Sequence, residues 1–193
     1  MSGDEHPEHP GPYPDATERF LVEAALEGDS RAFEAIVRRQ EGTVLRVLRL
    51  MGVRASERED VAQEVFLRVF RHLKGFDPAR PLAAWVYRMT ANAALDWRTQ
   101  KGRERSVPIE AGHEDPAAPD VSEDSLLARR LEVALAALPD RERAVFVLKE
   151  LEGLETGAVA KALGITQITV RRHLGRARDR VRAALTEKKS EGG

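Results

Sequence analysis

An acidic, proline-containing segment at residues 106–124 divides this chain of 193 residues and limits what it can fold into. The segment holds three prolines, six acidic residues and no lysine or arginine. So few apolar groups cannot bury enough surface to offset the entropy of ordering the chain. We therefore predict a flexible acidic linker over 104–124. Fully extended, this linker would reach roughly 60 Å.

The sequence on both sides of the linker shows the spacing of amphipathic helices. Apolar residues recur at helical intervals, and no convincing alternation of apolar and polar residues indicates a strand. Ser56 and Glu59 have the spacing of a capping box, which predicts that a helix starts at Ser56. The predicted helices cover 16–27, 30–51, 56–73, 81–98, 127–138, 141–151 and two further stretches within 156–185.

These patterns predict an all-α fold of two small helical domains joined by the flexible acidic linker. The chain is long enough for two small cores, and its 42% apolar content is ordinary for a folded protein. The predicted units are a disordered tail at 1–15, an N-terminal domain at 16–103, the linker at 104–124, a C-terminal domain at 125–186 and a disordered tail at 187–193.

The composition argues against several classes of function. The chain has no cysteine, so a disulfide, a thiolate metal site and a cysteine nucleophile are impossible. Its five histidines are scattered, and neither a glycine-rich phosphate loop nor a paired-carboxylate motif stands out. No apolar run approaches the ~20 residues that span a bilayer, and the N-terminus lacks the apolar stretch of a signal peptide. We expect a cytoplasmic protein that is not an enzyme and has no cofactor, metal, small-molecule substrate or membrane insertion.

The strongest local pattern lies at residues 156–175. Ala160 is small where two helices must cross closely, and Gly164 follows four residues later, where a turn often requires a positive φ. Val170 comes six residues after Gly164, where a second helix would pack back on the first. This spacing predicts a helix-turn-helix whose second helix is Gln167–Leu185.

The second helix is strongly basic, although the whole chain has a formal net charge of only −1. Residues 166–182 contain six arginines, one histidine and one acid. In a helix-turn-helix the second helix presents its N-terminal residues to the major groove, and arginine pairs with guanine or with phosphate. The predicted DNA contacts are Thr166, Gln167, Thr169, Arg171, Arg172, His173, Arg176 and Arg178. The alternatives are a solvated arginine-rich face and a helix-turn-helix that makes only protein contacts.

Two sets of motifs, in order along the chain, resemble the sigma-70 family of RNA polymerase sigma factors. The motifs that resemble region 2 are Phe33–Val37, Glu59–Phe70, Pro81–Arg88 and Ala91-Asn92. The motifs that resemble region 4 are Leu138–Phe146, Glu152–Leu154, Val159-Ala160, Leu163–Ile165, Thr169–Arg171 and Arg176–Arg178. The chain leaves no room for regions 1.1 or 3, which indicates the extracytoplasmic-function (ECF) class.

The resemblance implies partners and a role for each region. Region 2 would dock on the β′ clamp helices of core RNA polymerase through Asp60, Gln63, Glu64 and Phe66. It would also melt and hold the −10 element of promoter DNA through Phe76, Arg80, Arg88 and Asn92. Region 4 would read the −35 element with the DNA contacts named above and would meet the β flap. An anti-sigma factor is the remaining implied partner.

The sequence departs from the usual family pattern in the recognition helix. Ile168 stands where glycine is common, and Gly175 stands where a larger side chain is common. We therefore expect the promoter preference of this chain to depend on Ile168, Arg172, His173 and Gly175.

Other classes of function compete with this interpretation. A stand-alone helix-turn-helix regulator is the first alternative, but it would need a ligand or phosphoacceptor domain, and residues 20–100 show no such pattern. A pure protein-interaction module would leave the basic helix unexplained. An enzyme is the least favoured, because no catalytic motif stands out.

Overall fold

The structure is a computed structural model that describes Tyr13 and residues 16–77, 80–104 and 123–190. Every regular element in these ranges is helical, which confirms the predicted all-α fold. No helix within them is long and apolar enough to cross a membrane. The α-helices are α1 Glu18–Leu26, α2 Ser30–Leu50, α3 Ala55–His72, α4 Leu82–Glu104, α5 Glu123–Ala136, α6 Asp140–Phe146, α7 Thr156–Leu163 and α8 Gln167–Ser190. A 3-10 turn, Leu73–Gly75, follows α3, and a π-helical turn, Val147–Leu151, continues α6.

The N-terminal unit consists of α1 to α4. Helix α2 lies at its centre and packs against α1, α3 and α4. Its start is fixed by Asp29, whose carboxylate accepts hydrogen bonds from the backbone N–H groups of Arg31 and Ala32. The fully buried side chains of this unit include Leu21, Val44, Val47, Leu48, Val65, Val69 and Val86.

The C-terminal unit consists of α5 to α8, with α5, α6 and α7 all packed on α8. The turn between α7 and α8 has the predicted form. Gly164 has φ +63° and ψ +36°, in the left-handed region, and the backbone N–H of Ile165 donates to the carbonyl of Ala160 at 3.0 Å. Val170 is fully buried and Ala160 is nearly so. The small residue, the turn glycine and the apolar anchor therefore join α7 and α8 as a helix-turn-helix.

The prediction of a capping box at Ser56 is wrong. Helix α3 begins at Ala55, and the residue before it, Arg54, makes no side-chain cap. Ser56 therefore lies inside the first turn, where its hydroxyl is not at the N-cap position. Glu57 of the same turn forms an ion pair with Lys101 of α4 at 3.0 Å and a longer one with Arg54.

The structure includes parts of both tails that the sequence predicted to be disordered. Within the predicted N-terminal tail, the Tyr13 hydroxyl donates to Asp29 at 2.6 Å, and Arg39 donates to the carbonyl of Tyr13 at 2.7 Å. At the other end, α8 continues through Ser190 rather than ending near 186. The linker prediction falls mainly on residues 105–122, which lie outside the described residues, although α5 already begins at Glu123.

The two units also pack against each other, with α7 on α4. Ion pairs and hydrogen bonds between described residues join them, and we call these the interdomain contact. It includes the ion pairs Arg46–Glu152, Arg49–Glu132 and Arg98–Asp140, the Arg143 guanidinium on the Met51 carbonyl, the Asn92 amide on the Ala162 carbonyl and a hydrogen bond between the Tyr87 and Glu152 side chains. The buried side chains of both units consequently form one continuous cluster.

Two glycines of the C-terminal unit provide a matched test of this geometry. Gly164→Ala places a Cβ in the left-handed region and should destabilise the chain by roughly 1 kcal/mol. Gly175→Ala, within α8 and facing open space, should stabilise it by up to about 1 kcal/mol through helix propensity. Urea unfolding followed by circular dichroism measures both changes. Shifts of the same sign would contradict the turn geometry.

Candidate nucleic-acid interface

The orientation of α8 follows from its buried residues. Val170, Leu174, Ala177 and Val181 are 0–8% exposed and lie on one side of the helix, against the body of the C-terminal unit. Their spacing of three and four residues defines a single helical face. The opposite face of α8 is accessible to a partner along its N-terminal half.

Four residues on that opposite face form what we call the outward stripe: Ile168, Arg171, Arg172 and Gly175. All four are exposed. Within the described residues, neither Arg171 nor Arg172 has a hydrogen bond or an ion pair. The outward stripe therefore presents two unneutralised guanidinium groups beside an apolar side chain.

The start of α8 is fixed by two threonine hydroxyls. The Thr166 Oγ1 atom accepts a hydrogen bond from the Thr169 backbone N–H at 3.1 Å, in the position of a helix N-cap. The two hydroxyl oxygens are 2.9 Å apart and share a hydrogen bond. Both predicted DNA contacts therefore serve the helix end in this structure.

Gln167 and His173 flank the outward stripe. Gln167 leans toward α7, where its Nε2 atom is 3.6 Å from the position that a Cβ on Gly157 would have. His173 is half-buried, and its Nδ1 atom has no hydrogen-bond partner within the described residues. Burial lowers the pKa of His173, because it disfavours the charged ring, and nearby Glu142 opposes this shift.

The arginines further along α8 differ in their partners. Arg178 is bound by Glu150 of the π-helical turn at 2.7 Å. Arg180 lies 3.5 Å from the buried carboxylate of Glu142. Arg176 is exposed. Of the eight residues predicted to contact DNA, the structure gathers Arg171, Arg172 and Arg176 on accessible surface as unpaired cations.

The four residues predicted for the −10 element differ in burial and in partners. Phe76 is 8% exposed, and its ring lies 5.0 Å from that of Trp85 in the core. Arg80 is exposed and pairs with Asp77 at 3.3 Å, whereas Arg88 is half-buried on α4. The Asn92 side-chain amide donates to the Ala162 carbonyl of α7 at 3.0 Å, within the interdomain contact.

Helix α3 presents the residues predicted to bind polymerase. Asp60, Gln63 and Glu64 are exposed, and Phe66 is half-buried. Two apolar side chains of the same helix, which the sequence analysis did not select, are also exposed. They are Leu67 at 52% and Phe70 at 58%.

Phe70 makes an edge-to-face contact with Phe33 of α2, at 5.0 Å between ring centroids. Phe70 and Leu67 form an accessible apolar patch on the helix that also carries Asp60 and Gln63. A helical wheel would have placed Leu67 and Phe70 off the buried stripe of Val61, Val65 and Val69.

This architecture is that of a helix-turn-helix DNA-binding protein with a second helical unit that exposes an apolar face. Comparison with protein families narrows the class. Residues 36–104 match the family model Sigma-70 region 2, and residues 128–181 match the model Sigma-70, region 4.

Characterised relatives agree with these matches. The chain is 32% identical over 172 residues to the ECF RNA polymerase sigma factor SigE of Mycolicibacterium smegmatis, covering 85% of this chain and 66% of that protein. It is 30% identical over 183 residues to the RNA polymerase sigma factor CnrH of Cupriavidus metallidurans, covering 89% of this chain and 96% of CnrH.

Solved structures show the same fold. CnrH in complex with the cytosolic domain of CnrY superposes with a TM-score of 0.64 at 27% identity, covering 88% of this chain and 97% of that one. The sigma factor RpoE of Bartonella quintana, solved with the anti-sigma factor NepR, has a TM-score of 0.67 at 20% identity, covering 80% and 96%. The chain belongs to the ECF sigma factors of the sigma-70 family. It is thus a sigma factor for promoter-specific transcription initiation, and a stand-alone regulator is not favoured.

The N-cap of α8 can be tested by a pair of substitutions at Thr166. Thr166→Ala removes the acceptor and should destabilise the chain by about 1 kcal/mol. Thr166→Ser keeps the hydroxyl and should retain most of that stability. Chemical denaturation of both variants measures the difference, and equal losses would show that the hydroxyl does not cap the helix.

Proposed function

We propose that this chain directs core RNA polymerase to promoters by means of two DNA-binding units. The unit at 16–103 serves as region 2, which melts and binds the −10 element. The unit at 125–186 serves as region 4, which reads the −35 element. The observation that carries the proposal is the outward stripe, where unpaired arginines lie on the accessible face of a helix-turn-helix.

In this proposal α8 enters the major groove of the −35 element. Arg171 and Arg172 extend from its exposed face, and each guanidinium can bind the O6 and N7 atoms of a guanine. Arg176 and Arg178 flank that face and bind phosphates, which supply affinity without sequence choice. Arg178 then exchanges the Glu150 carboxylate for a phosphate, so its net contribution is the difference between two ionic contacts.

Region 2 meets polymerase through α3. Leu67 and Phe70 supply an apolar centre, and Asp60, Gln63 and Glu64 supply polar contacts at its border, the usual composition of a protein interface. The β′ clamp helices are the proposed partner of this face, and the β flap that of region 4. Phe66 is half-buried and supports the patch from within.

The remaining roles follow from the same proposal. The chain acts as a dissociable specificity subunit in the cytoplasm and catalyses no reaction itself. The relative CnrH was solved with the cytosolic domain of another protein, CnrY. That complex supports the proposal that an anti-sigma factor binds this chain. For the −10 element, we propose contacts from Phe76, Arg80, Arg88 and Asn92, once the interdomain contact has separated.

Transcription in vitro with core RNA polymerase, on a library of genomic promoter fragments, tests the division of roles. Arg171→Ala with Arg172→Ala should leave core binding intact and lower promoter-specific initiation at least tenfold, because each guanine contact is worth roughly 1–3 kcal/mol. Leu67→Ala with Phe70→Ala should weaken core binding and leave region 4 folded. Each double variant is the control for the other. A chain that binds promoter duplex tightly alone and ignores core polymerase would overturn the proposal.

A further inference from the structure

Ile168 is the most exposed large apolar side chain in the described ranges, with 74% of its surface accessible. It lies in the first turn of α8, on the outward stripe with Arg171 and Arg172. Ile168 does not contribute to the hydrophobic core, since the buried residues Val170 and Leu174 lie on the other side of the helix. An apolar group at this point faces whatever α8 binds.

The chemistry of the major groove restricts what that apolar group can contact. Base edges there are hydrogen-bond donors and acceptors, except for the C5 methyl group of thymine. Isoleucine suits such a contact, because one χ1 rotamer dominates in a helix and its methyl groups take a fixed direction. Resting on the function proposed above, we propose that Ile168 is a specificity-determining residue that contacts a thymine methyl group in the −35 element.

The neighbouring arginines locate that thymine relative to a guanine. Arg171 and Arg172 follow Ile168 by three and four residues, which is about 5 Å along the helix axis. Base pairs are stacked roughly 3.4 Å apart. The preferred element therefore has a thymine within one or two base pairs of a guanine, on either strand.

Selection from a duplex library randomised at the −35 element tests this contact. The full chain is assembled with core polymerase as wild type, as Ile168→Ala and as Val133→Ala. Val133 is an exposed aliphatic residue of α5 and serves as the matched control. Wild type and Val133→Ala should enrich thymine at the same position, and Ile168→Ala should not.

A second measurement removes the methyl group itself. Deoxyuridine in place of that thymine should weaken wild-type binding about fourfold, the factor expected for one buried methyl group, and leave Ile168→Ala unchanged. Equal enrichment by wild type and Ile168→Ala, or equal binding of uracil and thymine, overturns this inference and assigns Ile168 to a protein partner. A wild-type holoenzyme that selects no −35 sequence overturns the proposed function as well.

A different observation, the interdomain contact, carries a second inference. Three arginines of the N-terminal unit each face an acid of the C-terminal unit. Among these pairs, the two terminal nitrogens of Arg46 donate hydrogen bonds to the two carboxylate oxygens of Glu152, at 2.6 and 2.7 Å. The Glu152 side chain is only 1% exposed. Such bidentate pairs are the strongest ionic contacts between side chains.

The hydrogen bonds of the interdomain contact engage groups of both units. Asn92, one of the residues proposed to hold the −10 element, is bound to α7. Arg143 of α6 is 2% exposed and donates to the Met51 carbonyl at 3.1 Å. A Cβ on Gly52 would clash with the Arg143 Nη1 atom, so a larger residue there would displace this guanidinium.

Promoter binding requires the opposite arrangement. The −10 and −35 elements are separated by roughly 25 base pairs, or about 85 Å of B-form DNA. Here α4 touches α7, so the two units cannot reach both elements at once. We infer that the interdomain contact is autoinhibitory: it keeps the free chain closed, with Asn92 covered, until the two units separate on polymerase and promoter.

The interdomain contact can be broken by DNA because much of it consists of ion pairs. The Arg98 and Arg143 guanidinium groups both lie next to Gly52, so two positive charges crowd one point. Burial and the charge of Arg98 lower the pKa of Arg143 to about 10. Arg46, Arg49 and Arg98 meet carboxylates that phosphate groups can replace, so DNA competes directly with the C-terminal unit for these cations.

Charge reversal across one pair tests the inference. Arg46→Glu and Glu152→Arg each place like charges in contact and should open the chain, whereas the double reversal should close it again. Glu150→Arg is the control, because Glu150 lies two residues from Glu152 but binds α8 instead. Small-angle scattering should give a radius of gyration near 16 Å for the closed chain and a larger value for each single reversal.

The functional measurement is the affinity of the free chain for a duplex that carries both selected promoter elements. Glu152→Arg should bind this duplex severalfold more tightly than Glu155→Arg, which adds the same charge at an exposed position three residues away and leaves the interdomain contact intact. The double reversal should lose that gain, and Arg46→Glu, which removes a cation that phosphate can bind, is followed by its dimensions alone. Unchanged dimensions in the single reversals, or opening of Glu152→Arg without this gain in affinity, would overturn the inference. Neither result bears on the activity of the holoenzyme, which tests the proposed function separately.

Discussion

The arrangement of the two units depends on one buried cation, the guanidinium of Arg143. It donates to the carbonyls of Ala136 and Leu138 within the C-terminal unit and to that of Met51 across the interface. A buried charge is costly unless hydrogen bonds compensate it. With a pKa lowered only to about 10, Arg143 stays protonated at neutral pH. The Met51 carbonyl offsets part of the cost of this burial, and it is available only while the two units are in contact.

The acids of the C-terminal unit link this constraint to DNA binding. Glu150 and Glu152 stand at the end of the π-helical turn, two residues apart, and such residues do not face each other on a helix. Glu150 consequently reaches Arg178 of the recognition helix, while Glu152 reaches Arg46 of the other unit. One short turn thus neutralises a cation in each of the two DNA-binding units.

Local sequence patterns were sufficient for the helices and for the helix-turn-helix. The spacing of Ala160, Gly164 and Val170 predicted a turn that the structure shows, because every contact involved lies within eleven residues. A helical wheel could also have predicted that Leu67 and Phe70 are exposed. The capping box failed because α3 begins at Ala55, so Ser56 lies inside the first turn and not at the N-cap position.

The contacts between the two units could not be predicted from the sequence, because they join residues that are far apart along the chain. Nothing near Asn92 in the chain indicates that its amide would meet the carbonyl of Ala162, 70 residues away. The predicted flexible linker favoured independent units, and charge patterning alone did not show which acids would neutralise which arginines. The partner of a charged side chain is a tertiary property.

The net charge of −1 is consistent with this use of the charges. A DNA-binding protein with a large positive charge adheres to any duplex, because phosphate contacts are independent of sequence. Here acids cover Arg46, Arg49 and Arg98 in the closed chain, and Glu150 covers Arg178. On the recognition helix Arg176 stays accessible and unpaired beside the outward stripe, whose arginines and isoleucine can distinguish one base from another. Separation of the units would release Arg46, Arg49 and Arg98 from their carboxylates and so add cations that phosphate can bind.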